Sequence, residues 1–424
     1  MAHIAWLGKK SPFCGNVTYG LTTTHALQGR GHAISFIHFD TPATGQLGLN
    51  GPGLTTATAA ERHGPEEQGL PSPEVVTLPY LVKSQVYTIP SPGALRELRE
   101  SLERLKPDLV HASLTLSPLD FRLPELCQQL GLPLVATFHP AFDASLRNLT
   151  AGTQQLTYQL YAPSLGRFDR VIVFSELQAE VLQRLGVRPE RLAVIPNGVD
   201  TQTWQPGNAS SPLLQDLQKR FQGRRVFLYM GRIATEKNVE ALLRAWRLVR
   251  PEGCVLVMVG DGPMRASLEA NYSESSLVWW GYEPRLEMRV ALQQLAEVFL
   301  LPSLVEGLSL SLLEAMACGT ACVATDAGAD GEVLEAGAGI VISTQGVTTQ
   351  LRTLLPVLRD QPVLTAELGR RARERALERY TLNGAINAVE QLYGALLEPS
   401  AEAAEVRPEL HNNRQTPRQD RRLR

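Results

Sequence analysis

Short apolar runs alternate with amphipathic segments along the whole chain, and this alternation limits the possible folds more than any other feature. Apolar runs joined by crossover helices are typical of strands in a parallel sheet that is covered on both faces. The scheme occurs twice, on either side of a segment rich in Pro, Gly, Asn and Ser at residues 196–212. We therefore predict an α/β protein with two doubly wound parallel sheets, and the segment between them suits an interdomain connection and a cleft. The strand candidates are residues 3–8, 33–39, 108–113, 133–139, 170–175 and 192–196 in the first half, then 225–231, 254–260, 277–281, 297–303, 321–326 and 339–343.

A chain of 424 residues is longer than a domain with a single hydrophobic core usually is, so two domains are expected. We assign residues 1–198 to an N-terminal domain and 199–375 to a C-terminal domain, closed by an amphipathic helix at 376–398. The polar, Gly- and Pro-rich segment 41–73 is predicted to be a flexible insertion. The tail, 399–424, is predicted to be disordered and solvated, although its last eleven residues carry five arginines against one aspartate.

The composition excludes several classes of protein. A formal charge of −2 gives no reason to expect nucleic acid as a partner. The five cysteines are odd in number and contain no C-x-x-C pair, which indicates buried thiols in a reducing compartment. No apolar window reaches the roughly 18 residues that a membrane span requires. The sequence therefore predicts a cytoplasmic protein.

Two glutamates frame an uncharged run in the segment SLVEGLSLSLLEAMACGTACVATD at 303–326, where seven residues separate Glu306 from Glu314. A strand, a turn at Glu306 and a following helix would leave backbone N–H groups free near residues 307–310, which favours an anion there. If the run is helical, the two glutamates lie at most roughly 12 Å apart, about the length of a sugar–diphosphate–ribose unit. We therefore predict a diphosphate between two carboxylates that accept hydrogen bonds from hydroxyl groups.

Two cations suited to such a ligand lie elsewhere in the chain. Arg232 and Lys237 follow a strand and a glycine, just before a predicted helix. Each contact to a phosphate oxygen contributes about 1.5–3 kcal/mol. A metal route is not indicated, because the sequence has no D-x-D and no paired histidine spacing. The GDGP turn at 260–263 fits a phosphate-binding turn and a plain strand-to-helix turn equally well.

These motifs together resemble one family. The segments VIPNGVD, GRIATEKN, VMVGDGP and LPSLVEGLSLSLLEAMACGT, with the E-x7-E pair, occur in this order. They resemble the retaining glycosyltransferases of family 4, which have the GT-B fold. The resemblance implies two Rossmann-like domains that face a cleft, of which the C-terminal one binds a nucleotide sugar and the N-terminal one binds the acceptor. We expect neither a cofactor nor a metal.

The resemblance also implies roles for particular residues. Arg232 and Lys237 match the diphosphate-binding pair, Glu306 the carboxylate that holds donor-sugar hydroxyls, and Glu314 the carboxylate that binds the ribose. His139, at the end of a strand, matches a histidine that orients or polarises the donor; a structural role is the alternative. The catalytic set implied is His139, Arg232, Lys237 and Glu306.

Four further residues complete the predicted donor-binding set. Gly307 and Leu308 would supply backbone N–H groups. Gly15, in the loop at 11–20, matches a glycine that approaches the phosphates, although a Gly-Gly pair is common there and Asn16 follows here. Tyr282 would lie near the nucleotide base. The implied donor-binding set is Gly15, Arg232, Lys237, Gly307, Leu308, Tyr282, Glu306 and Glu314.

The resemblance implies hexose transfer with retention, by front-face departure of a nucleotide diphosphate, with a UDP-sugar favoured.

The N-terminal segments look like cyanobacterial members, among which glycolipid synthases suggest a galactosyl- or glucosyl-diacylglycerol product. The segments 81–93 and 154–168 could form a lipid-facing surface, yet residues 1–195 carry sixteen basic and sixteen acidic groups and thus no net attraction to anionic lipid. The alternatives are a soluble-sugar or exopolysaccharide acceptor, and an inactive glycan-binding protein.

Overall fold

The computed structural model describes residues 1–11, 15–40, 74–84, 87–141, 151–208 and 210–398, without the side chains of 151–153. The predicted insertion at 41–73 and the predicted tail at 399–424 lie outside these residues. Within them the two parallel sheets expected from the sequence are confirmed.

The first sheet has seven parallel strands in the order β3-β2-β1-β6-β7-β8-β9. Its central strands are buried on both faces, which explains why they read as continuous apolar runs. A separate antiparallel pair, β4 and β5, follows β3. The strands are β1 His3–Leu7, β2 Ala33–Phe39, β3 Val75–Leu78, β4 Tyr80–Lys83, β5 Thr88–Pro90, β6 Leu109–Ser113, β7 Leu134–Thr137, β8 Arg170–Val173 and β9 Leu192–Val194.

Helices in the described residues lie between the strands of this sheet. At the start of the helix Glu176–Arg184, the Ser175 hydroxyl accepts a hydrogen bond from the backbone N–H of Gln178, and Gly186 beyond the end of this helix has a φ of +93°. The helices are α1 Gly15–Gly29, α2 Ala94–Leu105, α3 Leu123–Leu130, α4 Ala151–Leu165 and α5 Glu176–Arg184.

The second sheet has six parallel strands in the order β12-β11-β10-β13-β14-β15. These strands are β10 Arg225–Met230, β11 Cys254–Val259, β12 Leu277–Gly281, β13 Val298–Leu301, β14 Ala321–Thr325 and β15 Ile340–Ile342. The helices of this half are α6 Pro212–Arg220, α7 Val239–Val249, α8 Arg265–Asn271, α9 Leu286–Leu295, α10 Leu310–Ala317, α11 Asp330–Val333, α12 Val347–Asp360, α13 Pro362–Arg379 and α14 Leu382–Leu397.

The strand order reverses direction between β1 and β6 in the first sheet and between β10 and β13 in the second. In open α/β sheets, ligands bind beyond the carboxyl ends of the strands at this switch point, because the adjoining loops diverge there and leave a crevice. The loops after β10 and β13 carry the candidate cations and Glu306. The topology therefore brings together motifs that lie about 70 residues apart in the sequence.

The predicted closing helix at 376–398 is divided in the structure. Residues 376–379 end α13, and α14 begins at Leu382 after the Thr381 hydroxyl accepts a hydrogen bond from the backbone N–H of Gly384. The break allows the backbone near residue 381 to pair with Val199 of the connecting segment. A Cβ at Gly198 would lie 2.5 Å from the Leu382 Cα, so this approach requires glycine.

The last helix, α14, returns to the first lobe. Its Ile386, Val389 and Tyr393 are buried in one cluster with Ile4 and Trp6 of β1. The chain thus crosses between the lobes twice, once near Val199 and once near Leu382. In the described part of the chain, no helix combines the length and apolar character needed to cross a bilayer.

Candidate functional site

The turn after β10 carries Arg232 and is held by contacts on both sides. The Tyr229 hydroxyl donates a 2.6 Å hydrogen bond to the Arg232 carbonyl. A Cβ at Gly260 would overlap the carbonyl oxygen of Gly231, and one at Gly262 would overlap the carbonyl oxygen of Ile233. The glycines of the GDGP turn thus allow two backbones to meet. In this structure the GDGP turn supports the Arg232 turn through close backbone packing.

Lys237 and Glu306 form an ion pair at this switch point. The Lys237 Nζ lies 2.5 Å from the Glu306 Oε1, and the Ser303 hydroxyl donates to the same oxygen at 2.7 Å. Only 9% of the Glu306 side chain and 22% of the Lys237 side chain are exposed. Because both charges are largely removed from water, each depends on the other for its compensation.

Arg232 is in a different electrostatic setting. Its Nη1 lies 3.2 Å from the Glu236 Oε1, and 42% of its side chain is exposed. An exposed pair of this kind contributes about 0–1 kcal/mol, so Arg232 can leave it at little cost. The sequence motif gives Arg232 and Lys237 the same role. In the structure, Arg232 is readily available to a ligand, whereas Lys237 is held in a buried ion pair.

The turn at Glu306 and Gly307 is fixed from two directions. Gly328 has a φ of +56°, and a Cβ there would overlap the Glu306 carbonyl oxygen. The backbone N–H of Ala329 donates to the Gly307 carbonyl at 2.9 Å. A Cβ at Gly307 would lie 3.2 Å from the His139 carbonyl oxygen, which belongs to the first lobe. The structure therefore brings Glu306, Gly307 and His139 together across the crevice.

Leu308 also lies at the contact between the lobes. Its carbonyl accepts a hydrogen bond from the Asn197 side chain at 3.3 Å, and its own side chain is buried. Asn197 belongs to the segment that connects the two sheets. This contact links the Glu306 turn directly to the connecting segment.

One backbone N–H group of the predicted anion site is already engaged. The Ser309 N–H donates a 3.0 Å hydrogen bond to Asp330 Oδ1, so the expectation of free N–H groups over residues 307–310 is wrong at Ser309. Asp330 is fully buried, and its burial and the neighbouring Glu306 raise its pKa well above the usual range. Asp330 holds the loop through this hydrogen bond to the Ser309 N–H. Sequence reasoning missed it, because an acidic residue in the first turn of a helix is ordinarily unremarked.

Glu314 lies on α10, which begins only at Leu310. Residues 306–309 are not helical, so the separation of the two glutamates estimated from helical rise does not apply to them. Glu314 lines a cavity of about 760 Å³ between the lobes, together with Arg289 of α9 and Thr18 and Thr22 of α1. Lys237 and Glu306 are not part of its lining.

Burial raises the pKa of Glu314 to about 7, and the nearby Arg289 partly opposes this shift. Glu314 is thus poised between its neutral and ionised forms near pH 7. The sequence did not single out Arg289, since a lone arginine in an amphipathic helix resembles any solvated surface charge. Arg289 lies near Glu314 because α9 packs beside α10.

His139 follows β7 and is held in an aromatic and polar setting. Its Nε2 lies 2.8 Å from the Ser113 hydroxyl, and its ring packs 4.9 Å from the Tyr19 ring and 5.2 Å from the Phe174 ring. Burial and the charge of Lys9 lower the pKa of His139 to about 3. The imidazole is therefore neutral at physiological pH.

Gly15 and Tyr282 are less constrained by neighbouring residues than the other predicted site residues are. Gly15 is the first residue of α1, so the predicted loop at 11–20 is helical from that point, and residues 12–14 lie outside the described part. A Cβ at Gly15 would meet no described atom within 4 Å, so intramolecular packing does not require glycine there. Tyr282 follows Gly281, whose φ is +89°, and is 58% exposed. Its place near a nucleotide base stays a prediction.

Among the described residues, no group of three or more His, Cys, Asp or Glu side chains is arranged to hold a metal ion. Cys127, Cys254, Cys318 and Cys322 are buried free thiols, in agreement with the sequence prediction.

Comparison with known proteins gives a consistent result. Residues 15–203 match the model described as Glycosyltransferase Family 4, and residues 224–360 match the model described as Glycosyl transferases group 1. The alpha-maltose-1-phosphate synthase of Mycolicibacterium smegmatis is 30% identical over 278 residues, which cover 59% of this chain and 70% of that protein. The sulfoquinovosyl transferase SQD2 of Arabidopsis thaliana is 27% identical over 73% of this chain, and the match spans 60% of SQD2.

A solved structure agrees on the fold. The crystal structure of HepE from Anabaena in complex with UDP-glucose superimposes with a TM-score of 0.71 and covers 93% of this chain and 100% of that one, at 18% identity. At this level of identity the likeness bears on the fold alone. The two sheets, the crevice at their switch points, the matching family models and the 30% identical relative together show that this chain belongs to the family 4 glycosyltransferases of GT-B fold.

Proposed function

We propose that this protein is a retaining, metal-independent hexosyltransferase that uses a nucleotide-diphosphate sugar, with a UDP-sugar favoured. The observation that carries the proposal is the buried Lys237–Glu306 pair, which adjoins a turn that meets the His139 backbone carbonyl across the crevice. This arrangement offers a cation for a diphosphate, a carboxylate for sugar hydroxyls and a neutral imidazole on the opposite lobe. UDP-glucose in the HepE complex is consistent with this choice of donor.

In the proposed mechanism, the donor diphosphate takes the ammonium of Lys237 and the guanidinium of Arg232. Glu306, released from Lys237, accepts hydrogen bonds from hydroxyl groups of the donor sugar. The two cations stabilise the negative charge that develops as the bond between the anomeric carbon and the phosphate oxygen breaks. The acceptor oxygen bonds to the anomeric carbon on the same face, and its proton passes to the departing phosphate.

The groups next to the Glu306 turn favour front-face departure over a covalent intermediate. On the side of the first lobe, the backbone carbonyl of His139 faces this turn. Asp330, a buried acid whose pKa is raised by its burial and by Glu306, is bound to the Ser309 N–H, which makes it a poor nucleophile.

Glu314 and Arg289 are proposed to bind the nucleoside end. An ionised Glu314 would accept hydrogen bonds from two ribose hydroxyls, and Arg289 offers further donors in the same cavity. Arg289 has one buried nitrogen, Nε, that finds no partner among the described residues, so a ligand atom would satisfy it.

For the acceptor we propose a membrane glycolipid, such as a galactosyl- or glucosyl-diacylglycerol. The supporting observation is a set of exposed apolar side chains on the first lobe: Leu81 and Val82 of β4 are 65% and 43% exposed, and Leu156 and Leu160 of α4 are 64% and 60% exposed. Such side chains could contact lipid at the membrane surface.

The test is to incubate the protein with radiolabelled UDP-glucose, UDP-galactose or GDP-mannose and a membrane lipid extract, with and without EDTA. We expect label in the organic phase from a UDP-sugar, unaffected by EDTA, and an α-linkage from an α-configured donor. Label confined to the aqueous phase would favour the soluble-sugar or exopolysaccharide alternative. Absence of both transfer and hydrolysis, with all three donors, would favour the inactive glycan-binding alternative.

A further inference from the structure

The ring of His139 is held by a hydrogen-bonded relay that starts in another element. The Ser113 hydroxyl lies 2.8 Å from His139 Nε2 and donates at 2.9 Å to Asn16 Oδ1. The Asn16 amide in turn donates from Nδ2 to the Leu114 carbonyl at 3.1 Å. Ser113 ends β6, Asn16 is the second residue of α1, and His139 follows β7. Three separate segments of the first lobe therefore converge on one side chain.

The chemistry of this relay determines the direction of each hydrogen bond. A backbone carbonyl can only accept, so the Asn16 Nδ2 must face Leu114 and its Oδ1 must face Ser113. A serine hydroxyl has one proton, and that proton is committed to Asn16 Oδ1. His139 Nε2 must then be the donor to Ser113, since two facing lone pairs would repel each other.

A neutral imidazole carries one ring proton, and burial keeps His139 neutral. If the proton is on Nε2, then Nδ1 carries a lone pair and can only accept. Nδ1 makes no hydrogen bond with any residue of the described part of the chain. It is therefore available to a ligand hydroxyl and unfavourable to a phosphate oxygen, which would present a second lone pair.

We propose that Ser113 and Asn16 are positioning residues for the transfer reaction, which lock His139 as its Nε2–H tautomer and leave Nδ1 as an acceptor. The catalytic consequence rests on the proposed function, whereas the tautomer does not. Packing supports the same assignment, because Ser113 is 1% exposed and the Tyr19 and Phe174 rings limit rotation of the imidazole.

The experiment measures the tautomer and the kinetics separately. Protein labelled with ¹⁵N-histidine is studied by long-range ¹H–¹⁵N NMR, which distinguishes the two tautomers, and His139→Gln identifies the signals of His139. We expect the Nε2–H pattern in the wild type. Ser113→Ala and Asn16→Ala should both give a mixture or the opposite tautomer, although Asn16 does not touch the ring. Ser113→Thr, which keeps the hydroxyl, should keep the wild-type pattern.

The kinetic readout uses Ser101→Ala as the matched control, since Ser101 is another buried serine of the same lobe, in α2 and outside the relay. Misplacement of a positioned group costs roughly 10- to 100-fold. We expect kcat to fall by that factor in Ser113→Ala and Asn16→Ala, with donor KM changed less than about threefold, and to be retained in Ser113→Thr and Ser101→Ala.

An Nδ1–H tautomer in the wild type, or an unchanged Nε2–H tautomer in Ser113→Ala, would overturn the inference. So would a shifted tautomer with kcat equal to that of Ser101→Ala. Failure of the proposed function would appear differently: the wild type itself would transfer no sugar, while the NMR pattern would still decide whether the relay controls the tautomer.

Discussion

The Lys237 ammonium donates a 2.5 Å hydrogen bond to the Glu306 carboxylate, so the cation proposed for the diphosphate and the carboxylate proposed for the sugar are bound to each other. A donor would have to exchange this pair for two contacts of its own. The exchange costs little free energy only if the ligand pairs with Lys237 and with Glu306 at the same time. A ligand that carries a phosphate but no sugar would leave Glu306 buried and unpaired. This relationship predicts that a nucleotide sugar is bound more tightly than the corresponding nucleotide alone.

Lys237→Ala should damage both activity and stability. Loss of a charge-assisted phosphate contact lowers kcat/KM by about 10- to 150-fold, corresponding to about 1.5–3 kcal/mol. Removal of one partner also leaves Glu306 as an uncompensated buried charge, which costs about 3–5 kcal/mol of unfolding free energy. Steady-state kinetics and urea denaturation measure the two effects. The control is Lys237→Met with Glu306→Gln, which should recover most of the stability but none of the activity.

Arg232→Gln should separate these two effects. Its pair with Glu236 is exposed, so we expect the unfolding free energy to change by less than about 1 kcal/mol. Turnover should nevertheless fall by about 10- to 100-fold, because a contact to the leaving diphosphate is lost. Arg244→Gln is the matched control, since Arg244 forms a similar i,i+4 pair with Glu240 on α7. Equal activity in the two variants would contradict the role of Arg232.

Glu314 predicts a specific pH dependence of nucleotide binding. Its pKa is raised from 4.5 to about 7, and the ionised form offers two charged acceptor oxygens to the ribose hydroxyls, whereas the neutral acid has an O–H group that donates. The affinity for UDP should therefore rise as the pH increases through about 7 and then level off. Isothermal titration in buffers of different ionisation enthalpy should detect proton release on binding below pH 7. Glu314→Gln should bind more weakly and without this pH dependence.

The same group predicts a change in stability with pH, and its sign follows from linkage. The folded state binds the Glu314 proton more tightly than the unfolded state does, so the contribution of this group to stability is lost as pH rises from about 4.5 through about 7. Thermal denaturation of Glu314→Gln should lack this decline. A variant less stable than the wild type at pH 8, with the difference absent at pH 4.5, would contradict the assignment.

Gly328→Ala should affect the site without altering any side chain in it. A left-handed φ costs a non-glycine residue about 1–2 kcal/mol, and the added Cβ would also overlap the Glu306 carbonyl and move the turn. Gly253 has a similar φ of +68° but no neighbour within 4 Å, so Gly253→Ala isolates the backbone strain. We expect comparable strain in both variants, additional destabilisation in Gly328→Ala, and loss of donor affinity in Gly328→Ala alone, measured by UDP-sugar titration.

Much of the fold could be predicted because it depends on local pattern. Apolar runs such as those of β10 and β11 are buried on both faces, and only strands of a covered parallel sheet combine that length with that composition. A helix cap such as Ser175 is equally local, since it acts on backbone groups two or three residues away. The start of α14 was misjudged because pairing with Val199, far away in the sequence, interrupts an otherwise continuous helical pattern.

The amino-acid sequence by itself determined the family, the two-sheet architecture and the identity of the ionisable residues around the proposed donor. Only the tertiary structure decided how these residues are paired: Lys237 with Glu306, Asp330 with the Ser309 N–H, and Arg289 beside Glu314. The physical reason is the distance along the chain over which each interaction acts. Periodicity and caps act within a few residues, whereas ion pairing, burial and the resulting pKa values depend on distances between segments that only the folded chain brings together.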